Sequence, residues 1–270
     1  MSTTATASTV LADGCHLGSG CGFPAPSLDD FYFTPIFSIG GFHFTKPMLL
    51  ALICAGIVCT YFYFAFRRPK LVPRGAQNVG ELGYLFIRDQ IARPMIGKNG
   101  DSFVPFLFSL FFFIWVMNLM EIIPIAQFPA TSKIAFPLSI VLMVYFTYWY
   151  QAIKHQGFVG FLKNVIPTGV PKPVYVILIP VEWLRVLVIQ PFTLAIRLFA
   201  NMFAGHMLLA TFMIATWYLT SASIGALFAA GSLVMVVVLT AFEMLIQALQ
   251  AYIFTILTAQ YIGESHSAGH

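Results

Sequence analysis

Long apolar runs separated by short polar intervals dominate the chain, and their lengths predict helices that cross a bilayer, each needing about 20 residues. After a polar, Gly- and Pro-rich stretch that continues to about Thr45, the first run extends from Pro47 to Phe66 and ends in Arg67, Arg68, Pro69 and Lys70. A second run, Phe103 to Ile125, carries one formal charge, Glu121, near its far end. A short loop with Gln127, Pro129 and Lys133 joins it to a third run, Ala135 to Ile153, so the two predict antiparallel crossings. Between the first and second runs, Arg74 to Lys98 mixes charges with Val79, Leu82 and Phe86 at helical spacing. Such a stretch is too polar to span and suits the membrane interface. Lys154 to Lys172 holds three lysines and His155 and is broken by prolines at 167, 171 and 173, which predicts a second loop on the same side.

The last hundred residues differ. Val174 to Leu219 is an apolar stretch of 46 positions interrupted by Glu182, Arg185, Gln190, Pro191, Arg197, Asn201 and His206. A small-residue break, Ser221 to Gly225, leads into Ala226 to Ile262, with Glu243, Gln247 and Gln250 inside it. Each arm is longer than an upright span requires, so the pair predicts a long, tilted helical hairpin. The expected fold is an all-α polytopic membrane protein, with about five membrane helices plus one cytoplasmic interfacial helix. Its parts are an exterior segment 1–45, peripheral helices 46–173 with the interfacial helix at 74–98, the hairpin 174–263 and a C-terminal tail 264–270.

Composition removes other classes. The 270 residues are 59% hydrophobic and 9% charged, against roughly 25% charged in a soluble domain. The net charge of +4 could suggest nucleic acid, but seven of the 14 Lys and Arg fall in 67–98 and three in 154–172, on one side of the membrane. Only Lys46 and Lys133 would face the other side. Excess Lys and Arg mark cytoplasmic loops, so the N-terminus is expected outside and, after five crossings, the C-terminus inside. The basic balance is thus topology, not a nucleic-acid site. Met1 to Val10 lacks the basic and apolar parts of a secretory leader and is expected to be retained. Cys15 and Cys21 would lie in the oxidising exterior, where they are free to pair, while Cys54 and Cys59 in the first span read as packing residues. The four tryptophans, Trp115, Trp149, Trp183 and Trp217, are spaced 34 residues apart. Their flanking residues do not repeat, so interface anchoring explains them better than a repeat architecture.

The chemistry concentrates in the hairpin. An Arg at the centre of a spanning helix costs about 2.5 to 3.5 kcal/mol on insertion scales, so Arg197 needs a partner or a function. If the arms turn about residue 223, Arg197 falls opposite Gln250 and His206 opposite Glu243, giving two polar layers about 13.5 Å apart. Glu243, Gln247 and Gln250, at i, i+4 and i+7, share a helix face. Asn201 lies one turn from Arg197 on its face, whereas His206, nine residues on, points about 180° away. Glu182 lies roughly 22 Å from Arg197 toward the cytoplasmic end. These positions suggest two polar routes that meet near a fixed cation, one from outside past His206 and Glu243 and one to the cytoplasm past Glu182. His and Glu change protonation readily and can relay protons. Arg stays charged, attracts a carboxylate on another subunit and blocks a direct leak. The plainer reading of Arg197 is an ion pair within the bundle, and membrane Asn and Gln often serve only as interhelical glue.

The segment Gln190-Pro191-Phe192-Thr193-Leu194-Ala195-Ile196-Arg197-Leu198-Phe199-Ala200-Asn201-Met202-Phe203-Ala204-Gly205-His206 closely resembles the signature of the subunit a family of F-type ATP synthases. Leu249-Gln250-Ala251-Tyr252-Ile253-Phe254 resembles that family's last-helix motif. The resemblance implies a stator protein in a bacterial inner membrane, beside a rotating ring of subunit c and held by the subunit b peripheral stalk and the remaining subunits. Arg197 would face the ring carboxylate, and Asn201, His206, Glu243, Gln247 and Gln250 would match inlet and interface positions. Some family members carry Glu at the position of His206 and His at that of Glu243, a swap that keeps an acid and an imidazole together. Glu182 resembles the outlet glutamate but stands nine residues before Pro191, where eight are expected, an offset of about 100°. No cofactor or metal is implied, and no phosphate-cradling Gly-x-x-x-x-Gly-Lys loop is present, so nucleotide chemistry would belong to partner subunits.

A self-contained proton-coupled secondary transporter is the alternative use of the same residues, although such proteins usually have paired halves with matching broken helices. A haem- or metal-bearing oxidoreductase would want several intramembrane histidines, and only His206 qualifies.

Overall fold

The computed structural model describes residues 22–26, 36–39, 42–67, 74–123, 129–164, 174–220 and 223–267. Cys15, Cys21 and residues 165–173 of the second basic loop lie outside them. Among the described residues, five helical segments are long and apolar enough to cross a membrane: Lys46–Phe66, Gly100–Leu119, Ala135–Gly157, Tyr175–Leu219 and Gly225–Ser265. The all-α expectation holds, with one small addition. Strands β1 (Phe37–Ile39) and β2 (Phe42–Phe44) pair antiparallel, with Phe37 opposite Phe44, just before the first helix.

Helix α1 (Lys46–Phe66) starts after Thr45 with Pro47 in its first turn, where the missing N–H costs nothing. Helix α2 (Ala76–Phe86), a π turn (Ile87–Ala92) and the short α3 (Arg93–Ile96) form the predicted amphipathic segment. Val79, Leu82 and Phe86 point outward and are 56%, 68% and 41% exposed, while the helix packs inward through glycines. Gly80 meets the ring of Phe66 and Gly83 that of Phe112. Around them Phe62, Phe108 and Phe112 form an aromatic cluster with ring centroids 4.5 to 5.1 Å apart. The polar face carries Arg88, Asp89 and Arg93, where the hydrogen bond from Arg88 holds Asp89 below the ordinary carboxylate range.

Helix α4 (Val104–Leu119) follows a 3-10 turn (Gly97–Phe103) and ends six residues before the expected Ile125. Pro124 in the sequence has no N–H to donate and keeps the residue before it out of the α region. Residues 120–123 therefore form a turn, and Glu121 folds back into the bundle, where it is buried. A 3-10 turn (Ala130–Ser132) leads to α5 (Ala135–Asn164), which kinks at Gly157 with φ 71°.

Helix α6 (Tyr175–Leu184), a second π turn (Arg185–Ile189) and α7 (Gln190–Leu219) form one continuous arm. Helix α8 (Ser223–Ser267) is the other, 45 residues or about 67 Å long. It starts three residues earlier than expected and continues into the presumed tail, of which residues 264–267 are helical. That length is about twice the hydrocarbon thickness, which is why both arms need a strong tilt. Ser232 donates to the carbonyl of Phe212, and a Cβ on Gly205 would meet Glu243, so the arms are antiparallel in the predicted register.

Packing centres on α8, whose contacts are most extensive with α7, then with α4 and α5. One core joins Ile114, Val144, Tyr145, Leu194, Leu198 and Phe254 from four helices. A second locks Ile87, Ile91, Val104 and Leu107 to Ala259 and Ile262 at the end of α8. In lipid such association rests on close packing of small residues, not on hydrophobic exclusion. Cys54 is a packing residue as expected, and Cys59 is exposed.

At this second core a Cβ on Gly263 would collide with the carbonyl oxygen of Met95. Gly263→Leu is expected to lift α8 from α3 and lower stability by about 1 to 3 kcal/mol, seen as a lower unfolding temperature in detergent. Gly231→Ala, whose Cβ meets nothing within 4 Å, should leave it unchanged.

Candidate functional site

Two faces of the hairpin carry the polar residues, and the helical period separates them. On the outer face, α7 supplies Arg197 and Asn201, and α8 supplies Glu243 and Gln250, around an open groove of about 360 Å³. The Asn201 side chain donates from Nδ2 to Oε1 of Gln250 over 2.9 Å, tying the arms together. Gly205 is the reason Glu243 can approach: any side chain there would overlap its carboxylate, so the acid packs on the α7 backbone. Ala204 beside it keeps the groove wide. Arg197 is half-buried and makes no hydrogen bond or ion pair with any described residue.

On the inner face, Gln247 donates from Nε2 to Oε2 of Glu121 over 3.0 Å. His206 places Nδ1 3.6 Å from Oε1 of the same carboxylate, within ion-pair reach though too far for a hydrogen bond. The Glu121 side chain is 2% exposed and Gln247 is fully buried. Next to them Thr131 donates to Oδ1 of Asn118 over 2.8 Å. Glu243 lies within electrostatic reach of Glu121, which links the inner cluster to the groove. Among the described residues, Glu121 Oε1, Glu243 Oε1, Gln247 Oε1, Asn118 Nδ2 and Gln250 Nε2 are buried and have no hydrogen-bond partner. Such a concentration of unsatisfied buried groups marks a functional site more than a packed core.

A third polar group lies toward the start of the first arm. Arg185 Nε donates to Glu182 Oε2 over 2.6 Å. Tyr148 of α5 and Glu264 of α8 lie within electrostatic reach of Arg185. Tyr261 of α8 lies within electrostatic reach of both Arg197 and Arg185. Among the described residues no three His, Cys, Asp or Glu side chains converge as a metal site would require.

The sequence-based candidates are thus divided. Arg197, Asn201, Glu243 and Gln250 share one groove, which joins Arg197 to Gln250 as the depth argument expects but also takes in Glu243, expected in the other layer with His206. His206 points away from Arg197, also as expected, and has Glu121 as an ion-pair neighbour, while Glu243 faces Gly205 one residue earlier. Gln247 leaves the groove for the inner cluster, and Glu182 is engaged by Arg185. Glu121 and Tyr261 were not among the candidates. Glu121 was legible as the single formal charge of the second run, but a pairing scheme confined to the hairpin gave it no partner.

Residues 48–263 match the family model described as ATP synthase A chain. The ATP synthase subunit a of Streptomyces lividans is 49% identical over 262 residues, covering 95% of this chain and 92% of that protein. Those of Frankia alni and Rhodococcus erythropolis are 43% identical over 255 residues, covering 92% and 88%, and 39% identical over 246 residues, covering 89% of each chain.

The inner cluster makes a direct prediction. Glu121→Ala deprives Gln247 of its acceptor in a buried setting and is expected to cost about 1 to 3 kcal/mol, read as a lower unfolding temperature in detergent. Glu121→Gln, which keeps an acceptor oxygen, should lose markedly less.

Proposed function

The chain belongs to the ATP synthase A chain family, the multi-pass membrane subunit a of the ATP synthase complex, and from that premise we propose that it works as the stator of the membrane sector, with two offset half-channels that carry protons to and from a carboxylate on a rotating ring of subunit c. The observation that carries this reading is the Arg197 guanidinium, half-buried in an open groove within a membrane-length helix and without a hydrogen bond or ion pair among the described residues. A guanidinium is a permanent cation in proteins, so its counter-charge arrives from outside in this reading. A ring carboxylate passing the groove supplies it, gives up its proton there, and cannot pass a proton straight across.

The inner cluster is the external half-channel in this reading. Glu121, His206, Gln247 and Glu243 offer two acids, one imidazole and several unpartnered polar atoms, the chemistry a file of water and protons needs. Asn201 and Gln250 brace the groove between that cluster and Arg197. On the other side the route runs past Tyr261 to Glu182. The one-residue offset of Glu182 from the family spacing is taken up by the π turn between it and Pro191. A π turn closes i to i+5 hydrogen bonds, so it holds one residue more than an α turn and spares the arm the extra rotation.

The basic loops assign the ends of α1 and α5 that carry Arg67 and Lys154 to the cytoplasm, with the N-terminus outside and the C-terminus inside, in a bacterial inner membrane. Each proton crossing 100 mV contributes roughly 2.3 kcal/mol, so several drive each ATP, made on partner subunits.

Arg197→Ala is expected to reduce proton-driven ATP synthesis in membrane vesicles by at least about a hundredfold, the scale for losing a preorganised charge at the reacting group, while the complex still assembles. Undiminished coupling would overturn the reading. Proton-coupled solute transport by the purified chain alone in liposomes would favour the transporter instead.

A further inference from the structure

We propose that the groove between the end of α1 and the flank of α2 is a binding site for one phospholipid. An acyl chain fills the groove, and the headgroup carries both a phosphate and a primary ammonium, the phosphatidylethanolamine class. The site lies apart from the hairpin and stands whether or not the stator reading does.

The groove holds about 400 Å³ and is lined by Phe66 of α1 and by Glu81, Tyr84 and Leu85 of α2, a volume within the range of ligand pockets. Its origin is the way the two helices meet. Gly80 of α2 rests on the Phe66 ring, and with no side chain at that position space is left beside the contact. Tyr61 fastens the start of α2 by donating its hydroxyl to the carbonyl of Ala76 over 3.1 Å. Phe66 and Leu85 are partly exposed, and Leu85 continues into the outward apolar face of Val79, Leu82 and Phe86. That face suits the membrane interface, so the medium that reaches the groove is lipid.

Charge decides the headgroup. Arg67, the residue after Phe66, is exposed, lies 6.0 Å from the centroid of the Tyr63 ring and has no acid partner among the described residues. Further along the segment, Arg88 and Arg93 are already taken by Asp89 and Asp101. A guanidinium without a carboxylate at the membrane surface is suited to a phosphate. In the groove wall, Glu81 accepts on Oε1 from Nε2 of Gln77 over 2.6 Å, while Oε2 has no hydrogen bond or ion pair among the described residues. That oxygen can take an N–H of a primary ammonium. A quaternary ammonium has no N–H to give, and a headgroup of net negative charge would be repelled by the carboxylate. A cation beside the groove and an acid in its wall thus match a zwitterion that ends in a donor.

The test uses the complete ATP synthase in vesicles of equal parts phosphatidylethanolamine, phosphatidylcholine and phosphatidylglycerol, with one of the three at a time carrying a light-activated diazirine on an acyl chain. Label is counted on peptides containing Phe66 and residues 81–85, relative to label on all other peptides of this chain. At the groove the ethanolamine lipid should exceed each of the other two by about two- to fivefold, the scale of a partly exposed ion pair. Glu81→Gln, which keeps the size of the side chain and an acceptor for Gln77, should erase that preference. Arg67→Gln should lower groove labelling by all three lipids, and Arg67→Lys should restore most of it. Equal labelling by the three headgroups, a preference for either of the other two, or an ethanolamine preference that survives Glu81→Gln would overturn the proposal. So would an unlabelled groove on a chain labelled elsewhere, the result expected if another subunit covers it.

Discussion

The Arg197 guanidinium stands in a helix of membrane-spanning length with no acceptor among the described residues, and the hairpin is arranged around that fact. Burying Arg197 costs energy that ordinary bundles recover with an internal partner. Here the cost is limited another way: the groove stays open, lined by Asn201, Ala204, Gly205 and Gln250, so the side chain is only half-buried. Small residues on α7 keep the space clear, and the hydrogen bond from Asn201 to Gln250 ties the two arms together at its floor. The long incline of both arms sets this groove on an outer surface rich in exposed Leu, Val and Phe, suited to lipid or to another apolar subunit.

The same period that directs Arg197 outward directs His206 inward. Nine residues of helix are half a turn beyond two full turns, so one arm presents polar groups on two opposite faces. Behind the groove, Glu121 gathers Gln247 and His206 while leaving buried oxygen and nitrogen atoms unpartnered. Such atoms weaken a fold. The bundle tolerates them because neighbouring packing is dense, with Ile114, Leu194, Leu198 and Phe254 fully enclosed and an aromatic cluster fastening the outer helices. Under the proposed function that unsatisfied polarity is what makes the region permeable to protons.

The far end shows the opposite solution. Arg185 and Glu182 satisfy each other at 2.6 Å, with Tyr148, Tyr261 and Glu264 close by. Two arginines stand twelve positions apart on one continuous arm, one paired with Glu182 and the other without a hydrogen bond or ion pair among the described residues.

Much of this was legible from residue order. The five apolar runs, the amphipathic segment with Val79, Leu82 and Phe86 outward, the hairpin register and the opposition of Arg197 to His206 all follow from helical period and bilayer thickness, which are local rules. The tertiary structure decided what depends on contacts between runs distant in the chain. Helix α4 stops at Leu119, so Glu121 turns inward and meets Gln247, 126 residues away. Glu243 settles against Gly205 because only a residue without a side chain leaves room for a carboxylate there. A π turn lies between Glu182 and Pro191, a backbone choice that residue counting does not foresee. Period and polarity fix which way each helix faces, but which polar group stands opposite is set by where neighbouring helices end and how closely their backbones approach.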